Sequence, residues 1–238
     1  MKKPIFALLL ALLPVTLMAA GGGVKLTPAD VDLGDQASLQ RGAKTFVNYC
    51  LSCHSASYMR YNRMAKDLGL TEAEVIDNLM FTTDKIGNTM TIAMTTAQAK
   101  QWFGNPPPDL SVTARSRGAD WLYSYFTGFY VDEKRPFGVN NAIFADVGMP
   151  NVLWELEGAK RAKHDEHGKI IGYEMVTPGL QSETEFKQTA RDLTAFMVYM
   201  GEPVQMERKR LGVWVILFLS IFFVLAYFMK REYWKDIH

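Results

Sequence analysis

Cys50-Leu51-Ser52-Cys53-His54 is a C-x-x-C-H run: two thiols separated by two residues, followed at once by an imidazole. That spelling reads as covalent attachment of a c-type haem. The chemistry accounts for the spacing, because both cysteines reach the vinyl edge of one porphyrin while the next side chain reaches the iron as proximal ligand. A zinc half-site would need two further Cys or His ligands at similar spacing, and a thioredoxin-like redox pair would not require the histidine. The chain holds 2 cysteines in all and no second C-x-x-C-H run, so the sequence predicts one covalently attached haem c.

Outward from the motif, Leu39, Ala43, Phe46, Val47 and Cys50 recur at the three-and-four spacing of one helical face, which predicts a helix from Asp35 or Ser38 into the motif. Gly42 on that helix permits a close crossing by a partner. The candidate partner runs from Ser182 to Met200, opened by the capping box Ser182-x-x-Glu185, striped by Phe186, Ala190, Leu193, Met197 and Met200, and closed by Gly201 and Pro203. Between them, Thr71-x-x-Glu74 opens a helix to about Met80, and further helices are predicted near Thr96–Phe103 and Ala119–Thr127. A short hairpin near 167–176, punctuated by Gly168 and Gly172, is a weak additional signal. The fold class is therefore all-α, with long loops wrapped around a flat cofactor.

A haem held by His54 leaves a sixth iron position, and its occupant separates electron transfer from ligand binding. Met149 is the candidate, in Gly148-Met149-Pro150, where the glycine permits close backbone approach and the proline restricts the chain. Most of the 13 methionines fill cores, and Met80, Met90 and Met94 remain rivals. His164 and His167 offer a bis-histidine alternative, although their polar surroundings suit a solvated turn. In Gly104-Asn105-Pro106-Pro107-Pro108-Asp109-Leu110-Ser111, three prolines exclude regular helix and make a stiff wall. Such a wall, with Pro108 as candidate, offers a backbone carbonyl to the free ring N–H of His54; a surface linker is the competing reading, and spacing alone does not separate them. Arg115 and Arg117 follow, suited to bidentate bonds with haem propionates, though exposed arginines are commoner than such clamps.

The two ends read differently from the body. Lys2 and Lys3 precede an apolar run from Ile5 to Met18 and the small residues Ala19, Ala20 and Gly21, the order of a secretory signal; residues 1–20 are assigned to it, with the cut at about 19–21. Leu211 to Met229 is a 19-residue run without a charge, long enough for one transmembrane helix. Three basic residues on each side leave its orientation open by charge, so the exported N-terminus decides it. This gives an exported haem domain over 21–206, an anchor over 207–230 and a cytoplasmic tail over 231–238. The formal net charge of +1 conceals an asymmetry: residues 1–20 and 207–238 hold eight basic and three acidic groups, so the body stands at −4. A modestly acidic exported domain argues against nucleic acid as a partner and for cationic ones.

With these pieces in order, the sequence resembles the cytochrome c1 family, the haem subunit of the cytochrome bc1 complex, in its bacterial form. The resemblance covers nearly the whole chain after the signal. It rests on Cys50-x-x-Cys53-His54-Ser55 with Tyr58 and Arg60, on Pro107-Pro108-Asp109-Leu110-Ser111 with Arg115-x-Arg117, on Gly148-Met149-Pro150, and on one anchor after Glu202-Pro203. It implies a cytochrome c-like haem domain with His54 and Met149 as axial ligands, Cys50 and Cys53 as thioether sites, and Arg117 as a propionate partner. Trp121 stands where the animal proteins have a tyrosine near a propionate, and its indole N–H is still a donor. The resemblance further implies a membrane-anchored electron relay that makes and breaks no substrate bond itself. Its partners would be cytochrome b, a Rieske iron–sulfur protein and an accepting cytochrome c, within a dimeric quinol:cytochrome c oxidoreductase of the bacterial inner membrane, haem domain on the periplasmic side. The acidic docking region of many family members is not obvious, with Glu72, Glu74 and Asp77, or Asp165 and Glu166, as candidates. Rival readings are a c-type subunit of a terminal oxidase or nitric oxide reductase, against which the single motif and C-terminal anchor weigh, and a haem-based gas-binding module, which needs an open sixth position.

Overall fold

The computed structural model describes residues 25–237; the expected signal segment, residues 1–20, lies outside them. Helix α1 spans Gln36–Tyr49, with the Asp35 carboxylate capping it by accepting from Ser38 N, and ends with Cys50 as its C-cap. After the haem motif come β1 (Ala56–Arg60), α2 (Tyr61–Asp67), α3 (Glu72–Leu79), β2 (Thr89–Met90), α4 (Thr96–Phe103), α5 (Thr113–Arg117) and α6 (Ala119–Phe126). Next are β3 (Phe129–Val131), β4 (Val139–Asn141), α7 (Trp154–Glu157), β5 (Gly158–His164) and β6 (Ile170–Pro178), and then α8 (Glu183–Gly201) and α9 (Gln205–Tyr233).

Helices dominate, as predicted, and α1, α3, α4, α6 and α8 start and stop close to their expected positions. The capping boxes at Thr71/Glu74 and Ser182/Glu185 both form, and a third, Thr95/Gln98, opens α4. Three two-stranded antiparallel sheets, β1–β2, β3–β4 and β5–β6, join the helices among the described residues. The weakly signalled hairpin is larger than the sequence suggested. It reaches back to Gly158 and on to Pro178, with register shifts along its length, and turns where Asp165 Oδ1 accepts from His167 N and Lys169 N. Basic residues along β5 and those shifts obscure the period-two alternation that would have marked it.

The core forms where α1 crosses α8. A Cβ added to Gly42 would stand 2.1 Å from the Asp192 carbonyl oxygen and 2.7 Å from Phe196 Cβ, so the predicted close crossing is real and only glycine fits it. Phe46 and Phe196, both fully buried, meet at 5.4 Å beside it. Asp192 is buried at the same crossing with its charge satisfied: it accepts from Ser38 Oγ (2.6 Å), Arg41 Nε (2.6 Å) and Gln188 Nε2 (2.8 Å). The α1–α8 pair thus fixes the end of α1, and with it the haem motif.

After α8, Glu202-Pro203 breaks the helix and α9 begins. Its 29 residues rise by about 44 Å, which exceeds the roughly 30 Å of a bilayer's hydrocarbon core. None of its residues is buried, and it is long and apolar enough to cross a membrane. An all-round apolar helix with no protein cover fits a membrane anchor.

Candidate functional site

At the end of α1 the chain turns tightly through the motif, with Leu51 N donating to Phe46 O, and Cys53 N and His54 N both donating to Cys50 O (3.1 and 2.9 Å). This turn brings Cys50, Cys53 and His54 to one wall of a cavity of about 540 Å³. Further walls come from the proline stretch 106–108, from α6 through Trp121, Leu122, Tyr125 and Phe126, from Gly148-Met149-Pro150, and from Met197 of α8. The lining is mostly apolar and the volume is in the range of cofactor sites.

The proline wall is stitched to the segment after His54 by the remainder of its own motif. Asp109 Oδ2 accepts from Ser57 N (2.9 Å), Asp109 Oδ1 accepts from Ser111 N (2.8 Å), Leu110 N donates to Ser55 O (2.8 Å) and Tyr58 N donates to Ser111 Oγ (3.1 Å). Burial of Asp109 favours its neutral form, but the bonds from Ser111 and Ser57 outweigh it and hold the carboxyl below its ordinary range. The consequence is that the Pro108 carbonyl lies 2.7 Å from His54 Nδ1. The Nδ1–H donates there, which fixes the ring and leaves Nε2 as the free nitrogen. Burial lowers the His54 pKa, with the Pro108 carbonyl and Asp109 acting in the opposite direction, a shift towards the neutral form that metal ligation needs.

Met149 lines the same cavity, and its Sδ accepts a hydrogen bond from Tyr125 Oη at 3.3 Å. Gly148 also lines it, and a Cβ added there would meet no protein atom within 4 Å. The rivals Met80, Met90 and Met94 are not part of the lining, and neither are His164 and His167, which belong to the β5–β6 hairpin and its turn. Arg117 reaches the cavity with its guanidinium 5.1 Å from the Trp121 ring, and Trp121 stacks on Tyr125 at 5.0 Å. Arg115 does not line the cavity. Its Nη1 lies 3.7 Å from Glu202, which also accepts from Arg208 at the start of α9, so it belongs to the junction with the apolar helix.

Sequence reasoning missed Asn140 and Asn141. Asn141, buried, donates from Nδ2 to Tyr125 O (2.8 Å) and accepts at Oδ1 from Ile143 N and Phe144 N, while Asn140 Oδ1 accepts from Asp146 N. Together they shape the loop that carries Met149. An Asn-Asn pair between strand and loop is a turn signal, and it was open to reading as one.

The competing chemistries of the cysteines fare poorly. Burial pushes the Cys50 thiol up to about 12, the reverse of a redox pair, whose leading thiol is acidified. No group of three or more His, Cys, Asp or Glu side chains that could hold a metal ion occurs among the described residues. Two free thiols, an imidazole with one nitrogen tied, a thioether and an open apolar cleft instead suit a covalently bound haem.

The family model for the Cytochrome C1 family matches residues 31–237. The chain belongs to the cytochrome c1 family. A cytochrome c1 from Allochromatium vinosum is 50% identical to it, with both chains covered in full. A protein of Nitrosomonas europaea named ammonia monooxygenase gamma subunit is 45% identical over the whole of this chain and 98% of its own. A mitochondrial cytochrome c1 from Neurospora crassa is 28% identical, covering 84% of this chain and 62% of its own length. Membership fixes the cofactor as one covalently attached haem c, and the cavity beside Cys50 and Cys53 is the place the structure provides for it.

Proposed function

We propose that this member of the cytochrome c1 family is a membrane-anchored electron relay that receives electrons from a Rieske iron–sulfur protein and passes them to a cytochrome c, within a quinol:cytochrome c oxidoreductase that also contains cytochrome b. Cys50 and Cys53 hold the haem by thioether bonds, His54 and Met149 ligate the iron, and Arg117 and Trp121 serve the propionates. The observation that carries the reading is that His54 and Met149, 95 positions apart, line one cavity with both thiols. Haem supplies a one-electron iron couple, and a thioether ligand raises its potential. The protein's part is to hold both ligands through the change of oxidation state: Pro108 fixes the imidazole and the Asn140-Asn141 loop fixes the thioether. Helix α9 anchors the relay, with the haem domain on the periplasmic side of the inner membrane of a dimeric complex.

The Nitrosomonas relative supports a second reading, in which the same relay serves a monooxygenase. Purification in mild detergent separates the two: co-purification of b-type haem and an iron–sulfur protein supports the first, and their absence refutes it. The ligand assignment is tested on the same material. The oxidised protein should show the near-infrared sulfur–iron band, and Met149→Leu should abolish it and let the reduced haem bind carbon monoxide. Retention of the band in Met149→Leu rejects Met149 as ligand.

A further inference from the structure

We propose that Tyr125 is a positioning residue for electron transfer, whose phenol hydroxyl, by donating to Met149 Sδ, orients the thioether and sets the reduction potential of the haem. The proposal rests on the reading of Met149 as iron ligand. A thioether sulfur has two lone pairs; the bond from Tyr125 Oη, at 3.3 Å, engages one and leaves the other for the metal. Sulfur is a weak acceptor, so the bond forms only if the phenol is held in place.

The structure supplies that restraint from both sides. The Tyr125 ring stacks on Trp121 at 5.0 Å and 11°, and meets Phe129 edge-on at 5.1 Å and 73°. Its backbone carbonyl is bonded by Asn141 Nδ2, and the same Asn141 gathers the amides of Ile143 and Phe144 at the start of the loop that ends in Met149. Donor and acceptor are 24 residues apart in sequence yet referenced to one buried side chain. That arrangement fixes the distance between phenol and thioether.

The electronic consequence has a definite sign. A hydrogen bond on the sulfur draws electron density from it and weakens its donation to the metal. Ferric iron, with the higher charge, depends on that donation more than ferrous iron does, so the bond favours the reduced state and raises the potential. A net hydrogen bond that differs in part between the two states should change the one-electron equilibrium constant by about threefold to tenfold, or about 30–60 mV at about 59 mV per tenfold.

The test is equilibrium redox titration of the full-length, haem-loaded protein in detergent, with the near-infrared sulfur–iron band recorded alongside. Tyr125→Phe keeps ring and volume, and should lower the potential by that amount while the band remains. Site-specific 3-fluorotyrosine at position 125, a stronger donor of the same shape, should move it upward, a reversal that packing alone does not produce. Tyr123→Phe, which removes a hydroxyl from a buried ring of the same helix outside the cavity, should leave it unchanged. An unchanged potential in Tyr125→Phe with the band intact overturns the proposal, as does an equal shift in Tyr123→Phe. If the unmodified protein lacks the band, the ligand assignment itself falls, and the proposal with it.

Discussion

Gly42→Ala is a one-carbon test of how the haem motif is held. The added Cβ would lie 2.1 Å from the Asp192 carbonyl oxygen, 2.7 Å from its carbon and 2.7 Å from Phe196 Cβ. Neither neighbour can rotate away, because one is helical backbone and the other is fixed to it. Relief to an ordinary contact therefore needs α1 and α8 to part by about 1 Å across a core of close-packed side chains. Overpacking of this kind costs about 1–3 kcal/mol, and a clash with backbone belongs at the upper end. Alanine returns about 1 kcal/mol through helix propensity, leaving a net loss of about 2 kcal/mol. For a domain of this size that lowers the Tm by about 4–8 °C. Thermal unfolding of the haem-loaded protein, followed in the Soret and near-infrared regions, measures it. Gly87→Ala, where an added Cβ meets nothing, is the control and should stay within about 0.5 kcal/mol of the unmodified protein. If Gly42→Ala unfolds at the same temperature as that control, the crossing does not hold the motif as argued.

Three further outcomes follow from particular contacts. Asp109→Ala removes the acceptor of Ser57 N and Ser111 N and should loosen the Pro108–His54 bond, costing about 1–3 kcal/mol and shifting the His54-dependent spectrum; an unchanged spectrum and Tm reject the stitching role. Asn141→Ala leaves the amides of Ile143 and Phe144 without their acceptor and the Tyr125 carbonyl with only Gly128 N, and should cost about 2–3 kcal/mol, with faster carbon monoxide binding by the reduced protein as the Met149 loop loosens; equal carbon monoxide kinetics would count against it. Glu157 is buried against Lys160 beneath the β5–β6 hairpin, and burial pushes its carboxyl from 4.5 up to about 7 despite that cation. The folded state then holds the proton more tightly than the unfolded chain, so this group's contribution to stability falls as pH rises from about 4.5 to 7. Glu157→Gln should flatten the Tm profile across that window, and a profile unchanged in slope would show that burial does not control the group.

Local signals were legible where a helix carries its own start. Thr71/Glu74 and Ser182/Glu185 are capping boxes written within four residues, and both form as read. α2 and α5 have no side-chain cap and were not legible: α2 is tied to distant residues, with Tyr61 N donating to Asn88 O, Asn62 N to Ile86 O and Tyr199 Oη to Asp67, and α5 packs on α8. β3 and β4 are three residues each, too short for an alternating pattern to show. The split between Arg115 and Arg117 also lay beyond the sequence. Two residues apart on a single helical turn, they face different ways, one to Glu202 and the other to the cavity.

The residues that line the cavity were easier to find than those that position them, and the chemistry explains why. A thiol pair, an imidazole and a thioether are rare enough in the right spacing to be read singly. Their supports are backbone carbonyls, asparagines and a tyrosine, whose roles exist only through contacts across 16 to 54 residues. Yet in the proposed relay these supports matter as much as the ligands. An electron carrier keeps both ligands in both oxidation states, so its potential depends on how firmly each is held and how strongly each donates. The Pro108 carbonyl makes the His54 imidazole a stronger donor, and the Tyr125 hydroxyl makes the Met149 sulfur a weaker one. Two bonds of opposite effect flank the same cavity, so changes at Asp109 and at Tyr125 should move the potential in opposite directions: upward where the imidazole loses its acceptor, downward where the sulfur loses its donor.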